Sequence, residues 1–290
     1  MEDRPLIVIV GETASGKTGL AIEIAEKFNG EIVCADSQTI RRGMDIGTAK
    51  PTAIEQAEAR HHLLDVVDPY ENFSVADFKK LALKAISDIE SRGKLPILVG
   101  GSGMYIDSVI FDYEFREPGD PTKREELEAM TVEELQQIIT DNSWPMPKNE
   151  QNPRHLVRVI EAEGKLPKPK KMRDNTLVLG LTLDPEKREV KISKRVDGMF
   201  KQDLLSEVKV IINKYGPPPK TFDAIGYRAV MGNLNKKSVL DLEAAKAEFI
   251  TGDKQLAKKQ RTWFKRNKSI HWLKNRGEAQ ALVSEFLNKP

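Results

Sequence analysis

The chain has one cysteine, Cys34, and four histidines among 290 residues. A lone cysteine cannot close an internal disulfide, and no cysteine and histidine cluster stands at metal-ligand spacing. A disulfide scaffold, a structural zinc site and dithiol redox chemistry are therefore excluded, and Cys34 reads as a buried strand residue. Long apolar runs are missing as well. No stretch approaches the roughly 18 apolar residues of a membrane span, and the acidic start MEDRP lacks the basic flank and apolar stretch of a secretory signal. The expected location is the cytoplasm, with no membrane partner. Net charge is also scarce, since 46 Lys and Arg against 44 Asp and Glu leave +2.

What remains is 39% hydrophobic and 31% charged, the composition of a globular protein long enough for one large α/β domain and a smaller appended one. Short β-branched runs alternate with helical patterns: LIVIV at 6 to 10, a helix near 17 to 28, EIVCA at 31 to 35, HLLDVV at 62 to 67, a helix near 75 to 92, then LPILVG at 95 to 100. Uninterrupted apolar strands separated by helices predict a parallel sheet covered by helices on both faces. From about Glu114 to Asn152 the chain becomes charged and polar, with TVEELQQIIT as one helix and a Trp-Pro-Met-Pro break at 144 to 147. That segment reads as a small helical insertion between core segments 1–113 and 153–290. NTLVLGLTL at 175 to 183 and SIHWL at 269 to 273 restore strand character, and YGPPPK at 215 to 220 reads as a stiff loop between helices.

GETASGKT, residues 11 to 18, fits the phosphate-loop spacing with Gly11, Gly16, Lys17 and Thr18, and it lies between a strand and a helix. Such a loop curls its amides (Gly11, Glu12, Thr13, Ala14, Ser15, Gly16) around phosphate oxygens. The helix N-terminus and the Lys17 ammonium add positive charge, and the Thr18 hydroxyl can ligate Mg²⁺. Asp36 leaves the second strand at the sheet edge where open α/β folds place ligands. Three readings stand for it: a metal carboxylate, a proton acceptor, or a carboxylate capping its own turn. VGGSGMYI at 99 to 106 leaves a third strand, its glycines permitting close backbone approach and Ser102 offering a hydroxyl; a tight turn explains those glycines equally well.

Taken together, GETASGKT, ADSQTIRRGMDIGTAKP, HHLLDVVDP with FSVADF, PILVGGSGMYI, NPRHLVRVIE, DAIGYR and AKKQRTWFKRN resemble, in order and spacing, the tRNA dimethylallyltransferases of bacterial type, from Val8 to Trp272. The resemblance implies a P-loop NTPase-like core with a helical insertion. It also implies Mg²⁺ as cofactor, dimethylallyl diphosphate as donor, and transfer of its five-carbon group to N6 of adenosine 37 in the anticodon stem-loop of tRNA, by a monomer. On this likeness Asp36 is the base, Ser102 holds the amine, and Lys17 and Arg195 face the pyrophosphate. The likeness assigns tRNA contact to Asp36, Ser37, Gln38, Thr39, Ser102 and Arg124, and to Arg154, His155, Leu156, Val157 and Arg158 of the NPRHLVR helix. An adenylate isopentenyltransferase, a small-molecule P-loop kinase and a nucleotide-gated RNA-binding protein remain as alternatives.

This chain departs from the family pattern in several places. Glu12 stands where the family has proline, Ser102 where it has threonine, and Thr39 and Arg41 where it has glutamine and tyrosine, with Gln38 one place early. The insertion is short between Ile139 and Asn152. Two basic clusters accord with a polyanion partner: GKLPKPKKMR at 164 to 173, and the stretch from Lys254 to Arg276 with nine Lys and Arg and no Asp or Glu. Trp263 and Phe264 within the second read as core residues.

Overall fold

A computed structural model describes residues 4–113, 115, 121–165, 171–219, 222–234 and 240–288. Strand β1 (Leu6–Gly11) is buried along its whole length. It is followed by α1 (Lys17–Lys27), β2 (Gly30–Cys34), α2 (Ala53–Glu58), β3 (His61–His62), α3 (Val75–Ser91), β4 (Leu95–Gly100) and α4 (Gly103–Ile110). Helices α5 (Pro121–Glu128), α6 (Val132–Asp141) and α7 (Pro153–Glu161) come next. The chain then returns through β5 (Thr176–Leu181), α8 (Pro185–Lys201), α9 (Leu204–Tyr215), α10 (Ile225–Gly232), α11 (Leu242–Phe264), β6 (Ile270–Trp272) and α12 (Arg276–Leu287).

The strands form one sheet in the order β3-β2-β4-β1-β5-β6, every pairing parallel. Alternation sends Ile7, Ile9, Ile32, Cys34, Ile97, Val99, Leu177 and Leu179 to one face, where they pack with Leu20 and Ile24 of α1 and with Ala279 and Val283 of α12. Helices α3, α4 and α11 lie against the strands as well, and the intervening Val8, Val10, Val33, Leu98 and Val178 are equally buried. Both faces are thus apolar, the condition for unbroken β-branched strands. Cys34 sits in this core, where burial pushes its thiol up to about 12 and leaves it unreactive. Local signals agree with the packing: α3 opens on a capping box in which Ser74 and Asp77 cap each other. Among the described residues no helix is long and apolar enough to cross a membrane.

The strand expected over 62 to 67 is only two residues long. Leu63 and Asp65 adopt left-handed φ values of 64° and 55°, which a pleated strand cannot accommodate, and pairing resumes only as a single bridge between Arg41 and Val67. The insertion boundary also shifts. The chain divides into one unit of Met1–Ile110 with Met172–Pro290 and a second of Phe111–Lys171. Helix α7, expected to belong to the core, buries Leu156, Val157, Val159 and Ile160 against Leu127, Leu135 and Ile139 of α5 and α6. The smaller unit therefore has a three-helix apolar centre of its own.

Candidate active site

Loops after β1, β2 and β4 leave the carboxyl edge of the sheet, and strand order places β4 between β1 and β2. Chain leaving β1 toward β2 and chain continuing through β5 therefore diverge around β1, the position where such sheets bind ligands. A cavity of about 840 Å³ opens there, within the usual range for a small-molecule site.

In the phosphate loop, left-handed residues Ala14 (φ 61°) and Gly16 (φ 91°) turn the chain into α1. Thr13, Ala14, Gly16, Lys17 and Thr18 line the cavity; Gly11, Glu12 and Ser15, expected with them, do not. Glu12 is buried with its side chain turned away: Oε1 accepts from the Leu183 amide at 2.9 Å and Oε2 pairs with Arg188 at 2.8 Å. Its role is to anchor the loop to the segment after β5, and its own carbonyl accepts from Lys17 Nζ at 2.8 Å. Burial is the main cause that pushes the Lys17 amine down to about 8, with Arg195 adding to it and Asp36 and Glu12 opposing.

The β2 and β4 loops are stitched together. Ser102 N donates to Ala35 O at 3.3 Å, and a Cβ on Gly100 would lie 1.9 Å from that same carbonyl, so only glycine permits the approach. Ser102 Oγ accepts from Ser37 N at 3.1 Å, which leaves its own proton to donate. Asp36 Oδ1 accepts from Gln38 N at 2.8 Å and Thr39 N at 3.3 Å, so the turn-capping reading is realised by one oxygen. Oδ2 has no partner among the described residues. Gln38 Nε2 donates to Asp223 Oδ1 at 3.3 Å, while Gln38 Oε1 and the Thr39 hydroxyl are buried without partners. Orphaned polar atoms on a cavity wall are places where a ligand completes the hydrogen bonding.

Arg195, from α8, reaches the phosphate loop. It donates to Thr13 Oγ1 at 2.6 Å, to Asp253 Oδ2 at 2.7 Å and to Thr48 O at 3.2 Å. Gln260 Oε1 accepts from Thr13 N at 2.7 Å. Residue type and spacing do not single out Asp223, Asp253 or Gln260. The available signal is two polar residues on the buried stripe Asp253, Ala257, Gln260 and Phe264 of α11.

The remaining expected positions divide. Phe264 is core, as expected. Trp263, also expected there, lines the cavity, with Nε1 donating to Asp107 Oδ2 at 2.8 Å. Arg41 donates to the carbonyls of Asp68, Pro69 and Glu71, which makes it a clamp on that turn. In the smaller unit Arg154, His155 and Arg158 occupy the exposed face of α7, but Leu156 and Val157 are 0% and 1% exposed in its apolar centre, so their side chains are withdrawn from the expected tRNA contacts. Arg124 pairs with Glu128 at 2.9 Å and Glu161 at 3.3 Å. Of the basic cluster at 164 to 173, residues 166–170 lie outside the described residues.

A phosphate loop, a carboxylate and a hydroxyl meeting at one edge of a parallel sheet define a P-loop enzyme that acts on a diphosphate or triphosphate compound. Residues 39–267 match the IPP transferase family, and the chain belongs to that family of prenyl-transferring enzymes. It is 36% identical to a tRNA dimethylallyltransferase of Pelotomaculum thermopropionicum over 97% of this chain and 95% of the relative. A protein of the same description from Acetivibrio thermocellus is 39% identical, with 92% and 91% covered. Among solved structures, the tRNA isopentenylpyrophosphate transferase of Bacillus halodurans superposes with a TM-score of 0.76 at 33% identity, covering 98% of this chain and 97% of that one. A eukaryotic dimethylallyltransferase acting on tRNA gives 0.81 at 25% identity, covering 99% and 81%.

Proposed function

We propose that the chain transfers a dimethylallyl group from dimethylallyl diphosphate to N6 of adenosine 37 in the anticodon stem-loop of tRNA, releasing pyrophosphate. The observation that carries this reading is the convergence of Lys17 and Arg195 with Asp36 and Ser102 on one cavity. That arrangement provides a polyanion cradle beside a carboxylate and a hydroxyl. The tRNA dimethylallyltransferases among its relatives support the choice of donor and acceptor.

In this mechanism the allylic C–O bond breaks with its electron pair leaving on pyrophosphate, the N6–C bond forms, and the amine proton passes to Asp36 Oδ2. Lys17 exchanges its bond to the Glu12 carbonyl for a phosphate oxygen. With Arg195 and the loop amides it meets the charge that develops on the leaving group, where preorganised donors act most strongly. Ser102 Oγ, already accepting from Ser37 N, turns its proton toward the acceptor base. Gln38 Oε1 and the Thr39 hydroxyl, both without partners, border the adenine. A target base has to leave its stack to reach such a cavity.

Thr18 is the residue that would hold Mg²⁺. It lines the cavity, and among the described residues its hydroxyl has no partner and no group of three or more His, Cys, Asp or Glu side chains could hold a metal instead. This donor set fits an ion that keeps most of its waters and uses phosphate oxygens as ligands. Bound with the donor, Mg²⁺ would supply further positive charge to the departing pyrophosphate.

The test is to incubate the protein and unmodified tRNA with labelled dimethylallyl diphosphate and, separately, with labelled ATP, each with free AMP as a competing acceptor. Label from the prenyl donor is expected in tRNA. Label in AMP, or transfer of the γ-phosphate of ATP, would overturn the reading.

Two further results are expected. Because Lys17 loses its charge as pH rises through about 8, and kcat/KM reports the free enzyme, kcat/KM for dimethylallyl diphosphate should fall above that pH. At saturating donor kcat should fall less, since bound diphosphate holds the proton on the amine. A profile of kcat/KM that stays flat to pH 9.5 or so would remove Lys17 from donor binding. Secondly, affinity for tRNA should decline steeply with salt through counterion release. Arg154→Ala or Arg158→Ala should flatten the log–log slope by about one unit for each phosphate that the arginine neutralises. Filter binding across a salt series checks both slopes, and unchanged slopes would exclude α7 from the RNA surface.

A further inference from the structure

Helix α11 buries one stripe, Asp253, Ala257, Gln260 and Phe264, at helical spacings of four, three and four. Two of the four are polar, and burial of polar side chains is unfavourable unless each has a partner. Both have one, and both partners lead to the same residue of the phosphate loop. Gln260 Oε1 accepts the Thr13 backbone N–H at 2.7 Å. Asp253 Oδ2 accepts from Arg195 Nη1 at 2.7 Å, and that same nitrogen donates to the Thr13 hydroxyl at 2.6 Å. Thr13 is thus gripped through its main chain by one end of the stripe and through its side chain by the other. Gln260 also packs closely on the β4 loop, since a Cβ on Gly101 would lie 2.3 Å from its Nε2.

We infer that Asp253 and Gln260 are positioning residues for prenyl transfer: they hold Arg195 and the first half of the phosphate loop in the conformation that receives the diphosphate. The inference rests on the proposed function for the identity of the ligand. Its physical content is preorganisation. Arg195 is a long cation with many rotamers, and fixing it before the donor arrives removes that ordering from the binding step. Asp253 and Thr13 take the two Nη1 hydrogens and the Thr48 carbonyl one of Nη2, which leaves Nε and the second Nη2 hydrogen for phosphate oxygens. Burial pushes the Asp253 carboxyl above its usual range while Arg195 opposes that shift. A bland reading, that both side chains merely satisfy one another inside a helix interface, predicts a change in stability without a selective change in donor binding.

The experiment uses the full chain. Inorganic pyrophosphate is titrated calorimetrically into wild type, Asp253→Ala, Arg195→Ala and the double variant, and KM and kcat are measured for dimethylallyl diphosphate and for tRNA. Asp253→Ala should weaken pyrophosphate and raise the donor KM about 10-fold, with tRNA KM unchanged. Adding it to Arg195→Ala should produce no further loss, the signature of two residues acting through one contact. Asp253→Asn, which keeps an acceptor and loses the charge, should fall between wild type and Asp253→Ala, and it carries the test if the alanine variant does not fold. Gln260→Met, of similar length without the acceptor, should lower kcat/KM for the donor while leaving tRNA KM in place. Additive losses in the double variant would overturn the inference, as would wild-type affinity in Asp253→Asn and Asp253→Ala. A parallel loss toward both substrates that tracks a lower melting temperature would also overturn it. If wild type binds pyrophosphate but prenylates no tRNA, the functional reading fails while the titrations still decide the roles of Asp253 and Gln260.

Discussion

Asp36→Asn is expected to lower prenyl transfer by about 100- to 10,000-fold, the usual contribution of a carboxylate base within hydrogen-bond reach, while both substrates still bind. The exocyclic amine of adenine is a poor nucleophile because its lone pair is delocalised into the ring, so attack on the allylic carbon has to be accompanied by proton removal. Asn is a well-matched substitution here for a structural reason. Asp36 Oδ1 accepts from Gln38 N and Thr39 N, and a carboxamide oxygen can keep both bonds, so the turn survives and only the basicity of the second position disappears. Among the described residues His62 of β3 pairs with Glu31, His155 is on α7 and His271 is in β6, while His61 of β3 also lines the cavity, its Nδ1 bonded to Ala59 O at 2.7 Å. Single-turnover assays with preformed complexes measure the effect. If Asp36→Asn retained its rate but lost Mg²⁺-dependent diphosphate binding, Asp36 would be a metal ligand and the base would lie elsewhere.

Lys17→Ala should slow transfer by roughly 30- to 1000-fold, corresponding to about 2 to 4 kcal/mol for one charge-assisted contact made to a developing anion. The loss should appear in kcat as well as in donor affinity, because charge on the pyrophosphate grows as the C–O bond breaks. Removing the amine also frees the Glu12 carbonyl it bonds at 2.8 Å, but that carbonyl lies in a loop held independently by Glu12 with Arg188 and Leu183 N. The fold is therefore expected to persist, and circular dichroism with a thermal melt checks it. Near wild-type turnover in Lys17→Ala would exclude the phosphate loop as the leaving-group site.

Much of the site was legible because its chemistry is short-range in sequence. Eight consecutive residues specify a phosphate loop, since a glycine-permitted turn, a helix N-terminus and a lysine act within one strand-to-helix connection. Asp36 and Ser102 were equally visible, because parallel strands return each loop to the same edge of the sheet. The segment at 62 to 67 shows where such reading stops. HLLDVV has strand composition, yet Leu63 and Asp65 take left-handed backbone that composition does not announce.

Helix α7 shows the same limit from another side. NPRHLVRVIE reads as a basic helix suited to RNA, but one helix carries two faces. Packing against α5 and α6 assigns Leu156 and Val157 to an apolar centre and leaves Arg154, His155 and Arg158 outside. Spacing of the apolar residues contained that division, whereas the identity of the helices it meets did not follow from it.

By itself the sequence determined the parallel α/β core, the phosphate-loop motif, the sheet edge at which the candidate site lies and the family to which the chain belongs. These depend on hydrophobic periodicity and on motifs whose parts lie within a few residues of one another. Only the tertiary structure decided that Glu12 turns from the cavity to Arg188, that one oxygen of Asp36 is committed to a turn, and that Trp263 lines the site beside Asp107. The same holds for Asp253 and Gln260, which reach Thr13 across 240 residues or more of chain. Such contacts arise from which helices cover which face of the sheet. That arrangement is set by the packing of the whole core, and no local pattern around either partner encodes the meeting.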